Sequence, residues 1–309
     1  VIGTGAVGLE LAQAFSRLGV AVTAFNRENR VAGLNDADIN AKAIDCLSED
    51  LTMHLKSTIN EIGHKIDTDG KTAAFIEYTD KDGNEGRWQG ERVLVATGRR
   101  NNIKQLGVEN LGVELDDKNR PKNLDKHTGQ IGDLDVYIVG DANANIPLLH
   151  VASDEGYSAG SIVCNQNTDA YIRPVAIPFS IVFTSPQIVN VGMTQQEIED
   201  DPDLEYVIGK VSFDNQGRSR IMGVNCGLLH IYGCKETDKV LGASMVGPDA
   251  EYIGHILANA ITNEICVKQL LDTPFYHPTI LEGLRTALRD VQHKMAIPYQ
   301  SLDAQEDGF

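Results

Sequence analysis

Val1-Ile2-Gly3-Thr4-Gly5-Ala6-Val7-Gly8-Leu9-Glu10 opens the 309-residue chain and decides how the first hundred residues fold. It is a G-x-G-x-x-G turn, which in a βαβ unit follows a buried strand and opens a helix. Gly3 allows the tight turn, Gly5 lets backbone approach a pyrophosphate, and Gly8 lets helix and strand pack closely. Free N–H groups at the helix start favour the anion. Leu9, Leu11, Ala12, Ala14, Phe15 and Leu18 then fit one helix face. Gly19 ends that helix, and Val20 to Phe25 reads as the second parallel strand. Only Val1 and Ile2 precede the turn, where a full strand is expected. The chain therefore reads as the C-terminal part of something longer.

The residues after the second strand choose between dinucleotides. An NAD site usually places Asp or Glu there, on the ribose hydroxyls; an NADP site avoids the acid and supplies Arg. Here the run is Asn26-Arg27-Glu28-Asn29-Arg30. A carboxylate in that place would repel a 2′-phosphate, whereas Arg27 could grip it with two N–H groups. The pattern favours NADP. The alternative is NAD accepted by Asn26, with both arginines as solvated loop charges.

Composition sets outer limits. The length suits two or more domains, and 42% hydrophobic content is ordinary for a globular protein. A net charge of −17 disfavours nucleic acid and anionic membrane as partners. No apolar run approaches the roughly 20 residues of a membrane span. The five cysteines are Cys46, Cys164, Cys226, Cys234 and Cys266. They form no close pair and no metal pattern with the histidines, so no metal is expected. Their scatter suits a reducing, cytoplasmic setting, with Cys164 and Cys266 read as buried, inert thiols.

Further along, a second helix is expected over about Asp36 to Ser57. A meander follows, with strands at Ile62–Ile66, Thr72–Thr79 and Gly86–Gln89, the first two joined by a turn at Asp67-Thr68-Asp69-Gly70. Strand Arg92–Ala96 runs into Thr97-Gly98-Arg99-Arg100, at the carboxyl edge where parallel sheets bind ligands. Asp135 to Gly140 reads as another strand, ending at Asp141, whose carboxylate can accept hydrogen bonds from a polyol. Ile177–Val182, Tyr206–Phe213, Val224–Tyr232 and Val240–Met245 suggest an antiparallel sheet. Thr194-Gln195-Gln196-Glu197 is a capping box, and helices are expected over Ala250–Glu264 and Pro278–Met295.

Taken in order, these pieces resemble one family, the flavoprotein pyridine nucleotide–disulfide oxidoreductases. The resemblance is carried by Gly3-x-Gly5-x-x-Gly8-x-Glu10, Ala96-Thr97-Gly98-Arg99-Arg100 and Val139-Gly140-Asp141 with Glu155-Gly156. Thr184-Ser185-Pro186-Gln187, Val191-Gly192-Met193-Thr194 and His277-Pro278-Thr279-x-x-Glu282 complete it. The last element is the most specific and looks like the dihydrolipoamide dehydrogenase branch.

The resemblance implies an α/β Rossmann-type nucleotide-binding domain over 1–97. The C-terminal part of a split FAD-binding domain follows over 98–170, and an α+β dimerisation domain over 171–309. It implies FAD and NADP, or NAD, as cofactors, a homodimer through 171–309, and a disulfide or dithiol substrate. Asp141 would bond the flavin's ribityl chain, and Pro147, Leu148, Leu149 and His150 would line its ring. Gly98 would sit against the nicotinamide nucleotide, and Glu10 would pair with a lysine near the flavin. His277, oriented by Glu282, would be the acid–base group. The alternative is a capping histidine beside a solvated glutamate. The family's flavin-binding G-x-G-x-x-G and its redox C-x-x-x-x-C do not occur here, so this chain alone is expected to be inactive. Asn26-Arg27, Tyr276 and Gly283 depart from the lipoamide enzymes. Two other readings stay open: an FAD-dependent transhydrogenase-type relative, and a non-catalytic nucleotide-binding and dimerising module.

Overall fold

The computed structural model describes residues 1–66, 72–117, 120–143, 145–165 and 171–295. The expected 67–70 turn lies outside the described residues. The chain forms two compact units, Val1–Thr97 with Phe179–Phe309, and Gly98–Pro178.

The first unit begins with a small parallel sheet. Helix α1 spans Ala6–Arg17, strand β1 Thr23–Phe25, helix α2 Ala37–Leu47 and strand β2 Thr52–His54. β1 pairs in parallel with β2, and Ile2 bridges Phe25 on one side and Val95 on the other. The expected strand Arg92–Ala96 is reduced to that bridge. Its hydrogen bonds are nonetheless present, Ile2 N–H to Leu94 O and Ala96 N–H to Ile2 O, each 2.8 Å.

Two expectations fail in this region. α2 stops at Leu47 rather than continuing to Ser57, because Thr52, Met53 and His54 find parallel partners in Thr23, Ala24 and Phe25. Sheet pairing outweighs a helical pattern that is locally plausible. The apolar face of α1 also divides. Leu9 and Ala12 are buried, while Leu11, Phe15 and Leu18 are exposed. Gln13 takes the buried place instead, bonded to Asp50 and to both the N–H and the carbonyl of Ser185. A three-stranded antiparallel meander follows, β3 Thr58–Ile66, β4 Thr72–Thr79 and β5 Glu85–Gly90.

The second unit carries little regular structure. The expected strand at 135–140 is a single bridge, Gln130 to Tyr137, followed by a 3-10 turn over Gly140–Asn143. Helix α3 spans Leu149–Asn165. Ile103, Val108, Ile131 and Ile138 form this unit's own core.

The chain then returns to the first unit. β6 (Phe179–Val182), β7 (Gln187–Gly192), α4 (Gln195–Glu199), β8 (Tyr206–Ser212) and α5 (Gly217–Met222) come first. β9 (Leu228–Cys234), β10 (Val240–Gly247), α6 (Ala250–Thr262), α7 (Val267–Leu271) and α8 (Leu281–Lys294) complete it. The five strands make one antiparallel sheet in the order β6-β7-β10-β9-β8. The Thr194 capping box forms on α4. β7 is absent from the sequence reading, although its Ile188, Val189 and Val191 are buried. β9 starts four residues later than expected because a turn through Gly223 and Gly227, both at positive φ, occupies 223–227.

One apolar core joins the two parts of the first unit. Leu9, Ala12, Ile39, Ala43, Leu47 and Leu51 pack in one cluster with Val182, Ile188 and Val246. Each is at most 3% exposed, so truncating one to alanine would cost about 2–5 kcal/mol for the larger side chains.

The reading of the cysteines is corrected. Cys46 and Cys226, 180 residues apart, form a disulfide with their Cα atoms 6.2 Å apart. Cysteine spacing therefore no longer argues for a compartment. Cys164 is exposed and Cys266 half-buried, rather than both buried; Cys234 is the buried free thiol. No described helix is long and apolar enough to cross a membrane.

Candidate functional site

Three groups of the expected residues are placed by separate elements. The first is the glycine turn. Gly3 sits at φ +99°, and a Cβ there would meet Ala96 O at 2.4 Å. A Cβ on Gly8 would meet Gly3 O at 2.1 Å. Both positions are closed to a side chain by the backbone of the sheet. At Gly5 nothing lies within 4 Å of a Cβ position. Gly5 is the N-cap of α1 and offers no side-chain cap. Open space thus meets the positive end of a twelve-residue helix. That cradle fits a pyrophosphate.

The loop after β1 is braced over this turn. Asn26 Nδ2 donates to Thr4 Oγ1 at 2.7 Å and to Arg30 O at 2.9 Å. Asn40 of α2 accepts from Val31 N–H and donates to Asn29 O. Arg30 is engaged by Glu28 and Asn35, and the guanidinium of Arg30 holds the Glu28 carboxyl below its usual range. Arg27 is exposed at the same loop. Asn26 is therefore a brace as well as a neighbour of the site, and of the two loop arginines Arg30 is the one with a described ion pair. Glu10 acquires a partner that its sequence does not reveal. Its Oε1 accepts from Phe183 N–H at 2.9 Å.

The second group lies in the Gly98–Pro178 unit. Gly98 stands at φ +104°. Arg99 Nη1 donates to Asp141 Oδ2 at 2.7 Å and Arg99 Nη2 to Pro147 O at 3.2 Å. Gly140 N–H and Asn143 Nδ2 both donate to Glu155 Oε2, at 2.6 and 2.8 Å. Glu155 on α3 thereby fastens the Gly-Asp turn, which explains why the two motifs occur together. Asp141, Pro147, Leu149 and His150 are exposed, Leu149 at 87%, and Leu148 is half-buried. An exposed acid beside an exposed apolar step suits a ligand with a polyol chain and a flat ring.

The third group is His277 and Glu282. His277 Nδ1 lies 2.9 and 3.0 Å from the two Glu282 oxygens. Glu282 also accepts from Thr279 N–H at 3.0 Å, and Thr279 O accepts from Gln216 Nε2 at 2.7 Å. The contact with His277 comes first among the causes that hold the Glu282 carboxyl below its ordinary range. The His277 side chain is 80% exposed and that of Glu282 28%. α8 starts at Leu281, not Pro278 as the sequence suggests; Ile280 is its N-cap, and Thr279 N–H is taken by the Glu282 carboxylate ahead of the helix. His277 still lies outside the helix and Glu282 in its first turn, so the pair survives the shifted start. With Nδ1 on the carboxylate, the tautomer is fixed and Nε2 is the nitrogen that can exchange a proton.

The sequence reading misses one buried cluster. Asp36 caps α2 through Asp38 N–H and Ile39 N–H. It also takes His230 Nδ1 at 2.5 Å and Tyr232 OH at 2.8 Å from β9. Asp36 just before a helical run is a readable cap signal; its partners 194 and 196 residues away are not.

The pyridine nucleotide-disulphide oxidoreductase model matches residues 1–156, and the dimerisation-domain model of the same group matches residues 178–288. The chain belongs to the pyridine nucleotide-disulphide oxidoreductase family. This member is 30% identical over 296 residues to the mitochondrial dihydrolipoyl dehydrogenase of Dictyostelium discoideum, covering 95% of this chain and 59% of that one. It is 30% identical over 290 residues to the dihydrolipoyl dehydrogenase of Haloferax volcanii, covering 93% and 58%. The chain thus spans somewhat over half the length of these curated relatives. Among solved structures it resembles LpdA of Mycobacterium tuberculosis, with a TM-score of 0.75 and 23% identity over 93% of this chain and 60% of that one. The HOCl-induced flavoprotein disulfide reductase RclA of Escherichia coli gives 0.74 and 20%, over 94% and 63%. At these identities the structures support the fold.

Proposed function

We propose that this chain supplies the nucleotide-binding, partial flavin-binding and dimerising parts of a disulfide oxidoreductase of the dihydrolipoamide dehydrogenase type. The complete enzyme passes electrons between NAD(P)H, FAD and a disulfide or dithiol. The observation that carries this reading is the His277–Glu282 pair, held by Thr279 and Gln216. A carboxylate-oriented imidazole is suited to take a proton from a dithiol, and the resulting thiolate is the form that attacks a disulfide.

In this reading Gly3, Gly5, Gly8 and the start of α1 hold the pyrophosphate. Arg27 receives a 2′-phosphate, favouring NADP over NAD. Gly98 lies along the nicotinamide nucleotide. Asp141 meets the ribityl chain, and Pro147 to His150 line the flavin ring. Bound FAD supplies the two-electron relay between nucleotide and dithiol. The domain limits 1–97, 98–170 and 171–309 belong to this proposal, as does a homodimer through the last. Supporting it are the matched dimerisation domain and the relatives' names.

The test is a dithionite titration of the complete flavoprotein. A long-wavelength charge-transfer band at two electrons supports the disulfide-reductase reading. Flavin without that band favours a transhydrogenase-type relative, and absence of flavin leaves a nucleotide-binding, dimerising module. The present chain holds no C-x-x-x-x-C, so alone it should not turn over disulfides with NAD(P)H.

A further inference from the structure

The Cys46–Cys226 disulfide is not used by any step above. Cys46 closes the C-terminal end of α2 and is 6% exposed. Cys226 lies in the turn before β9 and is half-buried. Both line an open cleft of about 630 Å³, with Arg17, Glu49, Ser185 and Asn225 at its wall. A buried structural bridge is shielded from attack, whereas this one is reached from a polar, water-accessible cleft.

α2 does not depend on the bridge for its place. Asp36 holds His230 and Tyr232, Lys42 Nζ lies 3.0 Å from Asp214 Oδ1, and Lys210 Nζ lies 2.8 Å from Asp38 Oδ2. None of these contacts, nor the shared apolar core, involves the sulfur atoms.

We propose that Cys46–Cys226 is a thiol–disulfide exchange site open to low-molecular-weight thiols. A thiolate attacks the more accessible sulfur, that of Cys226. The S–S bond breaks, and Cys46 leaves as a thiolate that takes a proton from water. Cys226 is left in a mixed disulfide. A second thiolate attacks the outer sulfur of that mixed disulfide, releasing a small disulfide and the Cys226 thiolate, which is protonated in turn. Two thiols are oxidised and one protein disulfide is reduced to two thiols. The exchange is stoichiometric and needs no nucleotide.

Incubation of the native chain with reduced glutathione, acid quenching, alkylation and peptide mapping test this. The expected result is labelling of Cys46 and Cys226 without denaturant, at an unchanged circular dichroism spectrum. A bridge that opens only in denaturant overturns the proposal, as does full labelling of both cysteines before any thiol is added. Oxidised glutathione supplies a second arm. Cys46→Ser should form an adduct at Cys226 about tenfold or more faster than Cys226→Ser forms one at Cys46, following exposure. Equal rates, or no adduct at either, overturn it. Cys164, exposed on α3, is the reactive internal control.

Discussion

Asp36 and His230 meet with Oδ2 and Nδ1 2.5 Å apart, joining the capped start of α2 to the middle of β9. Each is at most 2% exposed, so neither can turn to water if the other is lost. Burial pushes the Asp36 carboxyl up. The His230 hydrogen bond, the Ile39 N–H and Tyr232 together hold it below its ordinary value. The same arrangement raises the Tyr232 hydroxyl well above its ordinary range, through burial first and the Asp36 charge second.

Asp36→Ala should lower stability by about 3 kcal/mol, since it removes a helix cap and strands two buried donors. Because the folded carboxyl is depressed, its contribution is present above the ordinary carboxylate range. That contribution disappears as pH falls through the lowered value. Urea titrations at neutral and acidic pH check both points. A variant as stable as the parent at pH 7 would show that the cluster contributes nothing net.

Gly5→Ala should fold normally and bind NADPH at least about tenfold more weakly, a loss of roughly 1.4 kcal/mol. Its methyl group enters open space at the proposed pyrophosphate site, at an unstrained φ of −74°. Gly3→Ala and Gly8→Ala should instead lower the melting temperature, because their methyl groups meet carbonyl oxygens. Calorimetric binding beside a thermal scan separates the two effects.

Arg27→Glu should weaken NADPH by about 10- to 100-fold and leave NADH nearly unchanged, the range of one charge-assisted hydrogen bond. Arg30→Glu should act less selectively, since Arg30 is already held by Glu28 and Asn35. Little loss for either nucleotide in Arg27→Glu would leave Arg27 a solvated loop charge and favour NAD.

In the complete enzyme, His277→Gln should lower turnover by about 10²- to 10⁴-fold without releasing flavin. Glu282→Gln should cost less and move the pH profile, because it removes the carboxylate bonded to His277 Nδ1. In the parent, the depressed Glu282 carboxyl keeps this pairing above the ordinary carboxylate range and loses it as pH falls through the lowered value. A Glu282→Gln profile identical to the parent's would assign Glu282 to capping.

The local chemistry of the chain was legible in its sequence. The G-x-G-x-x-G turn needs three glycines for reasons that act within a few residues, and the Thr194 box and the His277–Glu282 spacing are equally local. These features depend on short-range backbone geometry, so neighbouring residues suffice to read them. Contacts between distant segments were not legible. α2 ends at Leu47 because β1 offers Thr52 to His54 a parallel edge. Gln13, rather than an apolar residue, is buried on α1 because Asp50 and Ser185 satisfy its amide. Asp36 finds His230, Cys46 finds Cys226 and Glu10 finds Phe183 across 194, 180 and 173 residues. Sequence by itself determined the glycine turn, the Thr194 cap and the His277–Glu282 spacing; only the tertiary structure decided which polar and sulfur atoms are buried together. The pairing energy depends on the whole chain's packing, which no local pattern encodes.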